Sequence, residues 1–184
     1  MFFKDASLAE ATQASSILWA YETMRDVANG STLELFGSNE STKVAALIHL
    51  ASVFAMSSAN YSEIAMKAIY IFWGLNGLQW MLNPEGAMQN WGSKKNKLPD
   101  NTRSRMITNT REFGTFLIST SVYAGSQLFF DASTTQAVGY ATIPWMLSTV
   151  KNILYGTYSK VNIGLDKIIP WLIYQAVVIA TLLF

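Results

Sequence analysis

Four stretches of this chain stay apolar for long enough to reach across hydrocarbon: residues 64–82, 112–130, 134–155 and 167–184. A helix of about 19 residues extends about 28 Å, against a hydrocarbon core of about 30 Å. A fifth run, residues 44–58, is shorter, and fits a short span, a re-entrant helix or a helix packed at the interface. The N-terminal segment has a different pattern. Ser7-Leu8-Ala9-Glu10 has the form of a capping box, in which the serine and the glutamate each satisfy a free backbone N–H. Ile17, Tyr21, Met24 and Ala28 then share one helical face, with Glu22, Arg25 and Asp26 on the other, and Asn29-Gly30 ends the helix. The pattern predicts an all-α protein: a polytopic integral membrane bundle of four or five spans, preceded by an amphipathic helix. Residues 1–43 form the expected arm and 44–184 the transmembrane domain.

Composition sharpens this picture. Of 184 residues, 51% are hydrophobic and only 14% charged, whereas a soluble domain carries about a quarter charged residues. The formal net charge is +1, too small to draw the chain to nucleic acid. Without cysteine there is no disulfide or thiolate chemistry, and with one histidine, His49, no histidine pair for a metal. Met1 to Asp5 runs from apolar to acidic, the wrong order for a signal or transit peptide, though a segment removed from a longer precursor stays open.

The charges set an expected topology. Lys94, Lys95, Lys97, Arg103, Arg105 and Arg111 crowd the stretch 93–111 against Asp100 alone, and Lys160, flanked by Lys151 and Lys167, sits in the loop 156–166. In an up-down bundle these loops share a face, and the positive-inside rule turns it toward cytoplasm, matrix or stroma. Trp80, Trp91 and Trp171 fall at or near span ends, where indole prefers the headgroup level. Trp73 and Trp145 lie deeper and are expected between helices. Gly74, Gly77, Gly114, Gly125 and Gly139 inside the runs predict close helix contacts. Pro144 is expected to free the carbonyl of Tyr140, and Pro170 to lie near a helix start.

The candidate chemistry is sparse. Polar side chains at membrane depth are costly and so draw attention first. His49, Asn76, Gln79 and Gln127 are candidate ligands for a pigment such as chlorophyll, with carotenoid or lipid against the helix surface. For each, a hydrogen bond to a neighbouring helix or carbonyl is the competing role. Glu112 is the acid expected to matter most, because it opens an apolar helix beside Arg111. Glu63 and Lys67 have the spacing of a helical ion pair. Trp19, Tyr21, Met24 and Trp91 are the expected docking surface for other membrane subunits. No nucleophile-base set or phosphate loop appears, so no enzymatic activity is expected.

Two segments share a turn pattern, from Asn29-Gly30 to Phe36-Gly37-Ser38 and from Asn83 to Trp91-Gly92-Ser93, each leading into a new run. The second carries a resemblance. A span ending Met81-Leu82-Asn83-Pro84, the step Trp91-Gly92, then Arg105 and Arg111-Glu112-Phe113-Gly114 opening the next span resembles small four-helix membrane proteins of the DoxX-like kind, over about residues 64–184. That resemblance implies a small transporter or membrane enzyme with a polar cavity between helices. The short spans rich in Ser, Asn, Thr and aromatics are also similar to accessory subunits of algal photosystems. This implies a non-catalytic thylakoid subunit or, as an alternative, a pigment-binding antenna. Asn76-Gly77-Leu78-Gln79-Trp80-Met81 is similar to part of the light-harvesting helix motif, but lacks its arginine and spaced glutamate.

Overall fold

A computed structural model describes residues 7–30, 40–58, 60–90, 100–160 and 162–184. Among them every regular element is a helix. These are α1 (Leu8–Ala28), α2 (Glu40–Met56), α3 (Ser62–Leu82), α4 (Pro84–Asn90), α5 (Asp100–Phe130), α6 (Thr134–Leu154), α7 (Thr157–Lys160) and α8 (Leu165–Leu183). Trp91, the lysines at 94, 95 and 97, most of the first shared turn segment and the end of the second lie outside the described residues.

The ends of the helices follow local chemistry. Ser7 Oγ accepts from Glu10 N at 3.3 Å, and Glu10 accepts from Ser7 N at 2.8 Å, completing the expected capping box. At the other end Gly30 takes φ +74°, which a residue without Cβ adopts freely. A second capping box, Ser133 with Gln136, starts α6. α5 stops at Asp131, whose φ of 51° ends the helical run. Pro84 opens α4 at a position whose N–H would be unsatisfied anyway, with Asn83 Oδ1 accepting from Gly86 N at 2.9 Å.

The chain divides into two compact units, Met1–Ile69 with Ala87–Lys97, and Tyr70–Gly86 with Leu98–Phe184. In the first unit α1 and α2 pack as an antiparallel pair. Gln13 Nε2 donates to Ser57 Oγ at 2.7 Å and to the Val53 carbonyl at 3.3 Å. Further along, the Trp19 ring lies parallel to His49 with centroids 5.9 Å apart. α1 buries Thr12, Ser16 and Ala20, one residue per turn, while Ile17, Tyr21 and Met24 stay exposed. Small side chains form the seam and large apolar ones face outward. α1 therefore belongs to the same unit as α2. The Glu63–Lys67 ion pair forms as its spacing predicts.

In the second unit α5, α6 and α8 are antiparallel neighbours. Glu112 meets Asn152 and Thr115 meets Ser148 across α5 and α6. Gly139 of α6 lies against Leu182 and Leu183 of α8. α3 crosses α5 at Gly77 and Gly114, so closely that a Cβ on Gly77 would stand 2.7 Å from the Gly114 carbonyl oxygen. Trp80 packs on Phe113 beside this crossing, with centroids 5.3 Å apart.

α5 differs from its sequence expectation. The apolar run begins at Glu112, but the helix begins at Asp100 and is 31 residues long. The half of the basic stretch that follows Asp100 is thus helical, and Arg103 reaches Glu85 of α4 at 3.1 Å. The span count also differs. Among the described residues one helix, Leu165–Leu183, is long and apolar enough to cross a membrane, and Thr42–Met56 is a shorter apolar helix. Asn76, Gln79 and Lys67 dilute α3, and hydroxyl-bearing and aromatic residues dilute α5 and α6.

Candidate functional site

The four candidate pigment ligands do not form one site. His49 belongs to the first unit, buried and stacked against Trp19. Trp19 is thus engaged within the chain, whereas Tyr21 and Met24 are left uncovered. Asn76, Gln79 and Gln127 belong to the second unit. The Asn76 amide donates one of its two N–H groups to the Phe72 carbonyl of its own helix at 2.8 Å. The Nε2 of Gln127 is buried without an acceptor. α3 and α5 enclose an open apolar groove of about 340 Å³, walled by Tyr70, Gly74, Leu78, Ser121, Gly125 and Phe129 among others. None of the three amides lines it. The groove offers a hydrocarbon chain a surface but no polar anchor. Among the described residues no cluster of His, Asp and Glu could hold a metal ion.

The strongest concentration of polar groups lies where α5, α6 and α7 meet. Asn152, with 0% of its surface exposed, donates its amide to Glu112 Oε1 at 2.5 Å and reaches the Tyr158 hydroxyl at 3.5 Å. About one turn further along α5, the Thr115 hydroxyl donates to Ser148 Oγ at 3.0 Å, both groups buried. Arg111 and Lys151 stand at the same level, each in the electrostatic field of the other, and Arg111 also acts on Glu112. Arg111 and Glu112 do not pair directly, as expected for neighbours on a helix. The structure instead gives the carboxylate to an asparagine on the next helix. Three polar groups here lack partners or carry excess charge: Asn152 Oδ1, Arg111 Nε and the Lys151 ammonium, which forms no ion pair among the described residues. The arrangement can bind an anion or tether helices; it has no nucleophile set beside a base.

Sequence reasoning picked out Glu112 and Arg111 but passed over Asn152, Ser148 and Tyr158. One signal was present: Asn152 is an uncharged polar residue in an otherwise apolar turn, adjoining the one lysine of its run.

Gln175 is the second polar feature. It is 1% exposed, sits in the most apolar helix, and neither amide atom has a partner. Counting back from the contact of Leu182 and Leu183 with Gly139 along antiparallel helices places it roughly level with residues 146–147 of α6.

Fold and site together define an all-helical chain of antiparallel hairpins with polar groups held between helices. Comparison with family models, with curated proteins and with solved structures finds no match to this chain.

Proposed function

We propose that this chain is a membrane-embedded, non-catalytic subunit of a larger membrane complex. One observation carries the reading: the most deeply buried large side chains are mostly polar while many large apolar ones are left exposed. Of the seven largest side chains with under 2% exposure among the described residues, six are polar: Gln175, Asn152, Thr12, Thr115, Ser16 and Ser148. Meanwhile Phe54, Phe130 and Leu154 are each more than three-quarters exposed. In water this arrangement forfeits about 1.5–3 kcal/mol for each large apolar side chain left outside. In hydrocarbon it costs nothing, and small or hydroxyl-bearing residues then supply helix contact through close approach and hydrogen bonds. α8 supports the same reading, since Trp171, Ile173, Tyr174 and Val177 are exposed and Gln175 is turned inward.

The role of subunit rests on the uncovered faces. Ile17, Tyr21 and Met24 leave α1 an apolar stripe that the chain itself does not bury. With Trp91 they are the proposed docking residues for a neighbouring membrane protein. The likeness to algal photosystem accessory subunits makes a thylakoid complex the first host to examine, with the basic end of the second unit toward the stroma. Gentle solubilisation of the host membrane followed by sizing tests the proposal. The chain is expected to migrate within a larger particle. Recovery in the aqueous fraction, or as a lone monomer in detergent, would overturn it. An absorption spectrum of the same particle tests the pigment alternative, which fails without chlorophyll or carotenoid bands.

The DoxX-like transporter reading has one observation in its favour, the Glu112–Asn152 pair held between helices. Glu112→Gln should then abolish a measurable flux while the protein still assembles.

A further inference from the structure

We propose that Arg111 and Lys151 form a binding site for the phosphate group of an anionic lipid headgroup, a site that rests on the membrane reading above. The charges come first. Arg111 and Lys151 each precede a partner of the Glu112–Asn152 contact and so sit at one level of the α5–α6 hairpin, where their like charges repel. The nearby carboxylate is Glu112, and Asn152 already donates to one of its oxygens. Two cations therefore face one partly engaged anion, and neither cation forms an ion pair among the described residues. Arg111 Nε is buried with no acceptor. A buried guanidinium N–H without a partner is expensive, and its natural complement is an oxyanion that accepts two parallel N–H bonds. Lys151 adds a point charge to the same oxyanion.

Position along the helix selects a lipid as the source of that phosphate. Arg111 closes the charged part of α5, which carries Arg103 and Arg105. After Glu112 the helix runs uncharged to Phe130. Lys151 lies in the last turn of α6, after an uncharged run. Both cations thus mark the boundary between apolar and charged surface, where headgroup phosphates lie and where long basic side chains reach outward. Phe116 and Leu147, both exposed, lie about one turn further into the apolar part, on the side where acyl chains would continue. A free phosphate would find the same two cations but no use for that apolar surface.

The test uses the full chain purified in a neutral detergent and titrated with phosphatidylglycerol, with phosphatidylcholine and with inorganic phosphate alone, bound lipid being counted by native mass spectrometry. Saturable binding of one phosphatidylglycerol, preferred over phosphatidylcholine and weakened by salt, is expected. Arg111→Gln and Lys151→Gln should each weaken it about fivefold, since a basic residue near the surface contributes about that factor. Arg111→Lys should restore only part of the binding, because an ammonium supplies the charge without the paired N–H bonds, and Arg105→Gln, an exposed arginine on the same helix, should change it less than about twofold. Equal losses in Arg105→Gln and Arg111→Gln would reduce the site to general surface attraction and overturn the proposal. Inorganic phosphate competing at the affinity of the lipid would overturn the lipid source. Circular dichroism of each variant separates lost binding from lost folding. If the chain stays soluble without detergent the membrane reading fails. If it needs detergent yet shows no phosphatidylglycerol preference, this site alone fails.

Discussion

Replacing Gly77 with alanine tests the geometry on which the second unit depends. A Cβ there would stand 2.7 Å from the Gly114 carbonyl oxygen and 2.9 Å from Ile118 N. Both are backbone atoms, so no rotamer change relieves the clash. α3 and α5 must separate by about 0.7 Å to restore ordinary contact, and a gap of that size forfeits a quarter to a half of the dispersion energy at the seam. Overpacking of this kind costs about 1–3 kcal/mol, and the better helix propensity of alanine returns up to about 1 kcal/mol. The net expectation is about 1–2 kcal/mol of destabilisation. Gly114→Ala should behave alike, because its Cβ would meet Met81 N at 2.6 Å and the Gly77 carbonyl at 2.7 Å. The double variant should cost less than the two together, since one separation accommodates both methyl groups. Gly125 is the control. A Cβ there meets only the Phe129 ring at 3.7 Å, so Gly125→Ala keeps the propensity gain without the clash. Thermal melts in detergent, followed by circular dichroism, should lower Tm for Gly77→Ala by several degrees, at about 2–4 °C per kcal/mol. Gly125→Ala should be unchanged or higher. Shifts of the same sign and size at both glycines would refute the close crossing.

Three further outcomes follow from the polar groups. Asn152→Leu removes the donor from a partly buried carboxylate and should cost about 1–3 kcal/mol, most of it recovered when Glu112 is also made apolar; a melt identical to the parent would show that the bond carries no stability. Gln175→Leu should be neutral or raise Tm, because both amide atoms are buried without partners and the desolvation penalty disappears with them; a loss comparable to that of Asn152→Leu would reveal a bound partner at this amide. Glu10 is held below its ordinary 4.5 because the Ser7 backbone N–H, and then its hydroxyl, donate to the carboxylate. Folding therefore favours the ionised form: the contribution is complete above 4.5 and is lost as pH falls through the lower folded value. Amide protection at Glu10 and Ala11 should fall over that acidic window, and Glu10→Gln should abolish the dependence. Identical profiles in the two proteins would remove the capping box as its cause.

What the sequence could and could not announce follows from the kind of signal each feature leaves. Helix ends were readable where a side chain closes on its own backbone, as at Ser7–Glu10 and Asn29-Gly30, because such contacts span three or four residues. The same logic was available at Ser133–Gln136 and went unread inside an apolar run. The start of α5 was hidden for the converse reason. Arg103 to Arg111 reads as a loop by polarity, yet helical propensity is indifferent to charge and one residue there finds a long-range partner, Glu85. The apolar stripe of α1 was found, but its direction could not be read. Periodicity identifies faces without naming which one a neighbour covers, and in α1 the covered face is Thr12, Ser16 and Ala20. The Glu112–Asn152 contact joins residues 40 apart, so it depends on an antiparallel register that no local pattern encodes. Asn152, Thr115, Ser148 and Gln175 each look like a blemish in an apolar run when taken alone. Their burial inside the chain, beside Phe54, Phe130 and Leu154 on the outside, is the pattern on which the proposed membrane embedding rests. Span-by-span hydropathy counts only α8 among the described residues. Hydropathy averages each helix over all its faces. Burial separates the faces: in α5 Thr115, Ser119 and Ser126 are buried while Arg103 and Arg105 stay exposed.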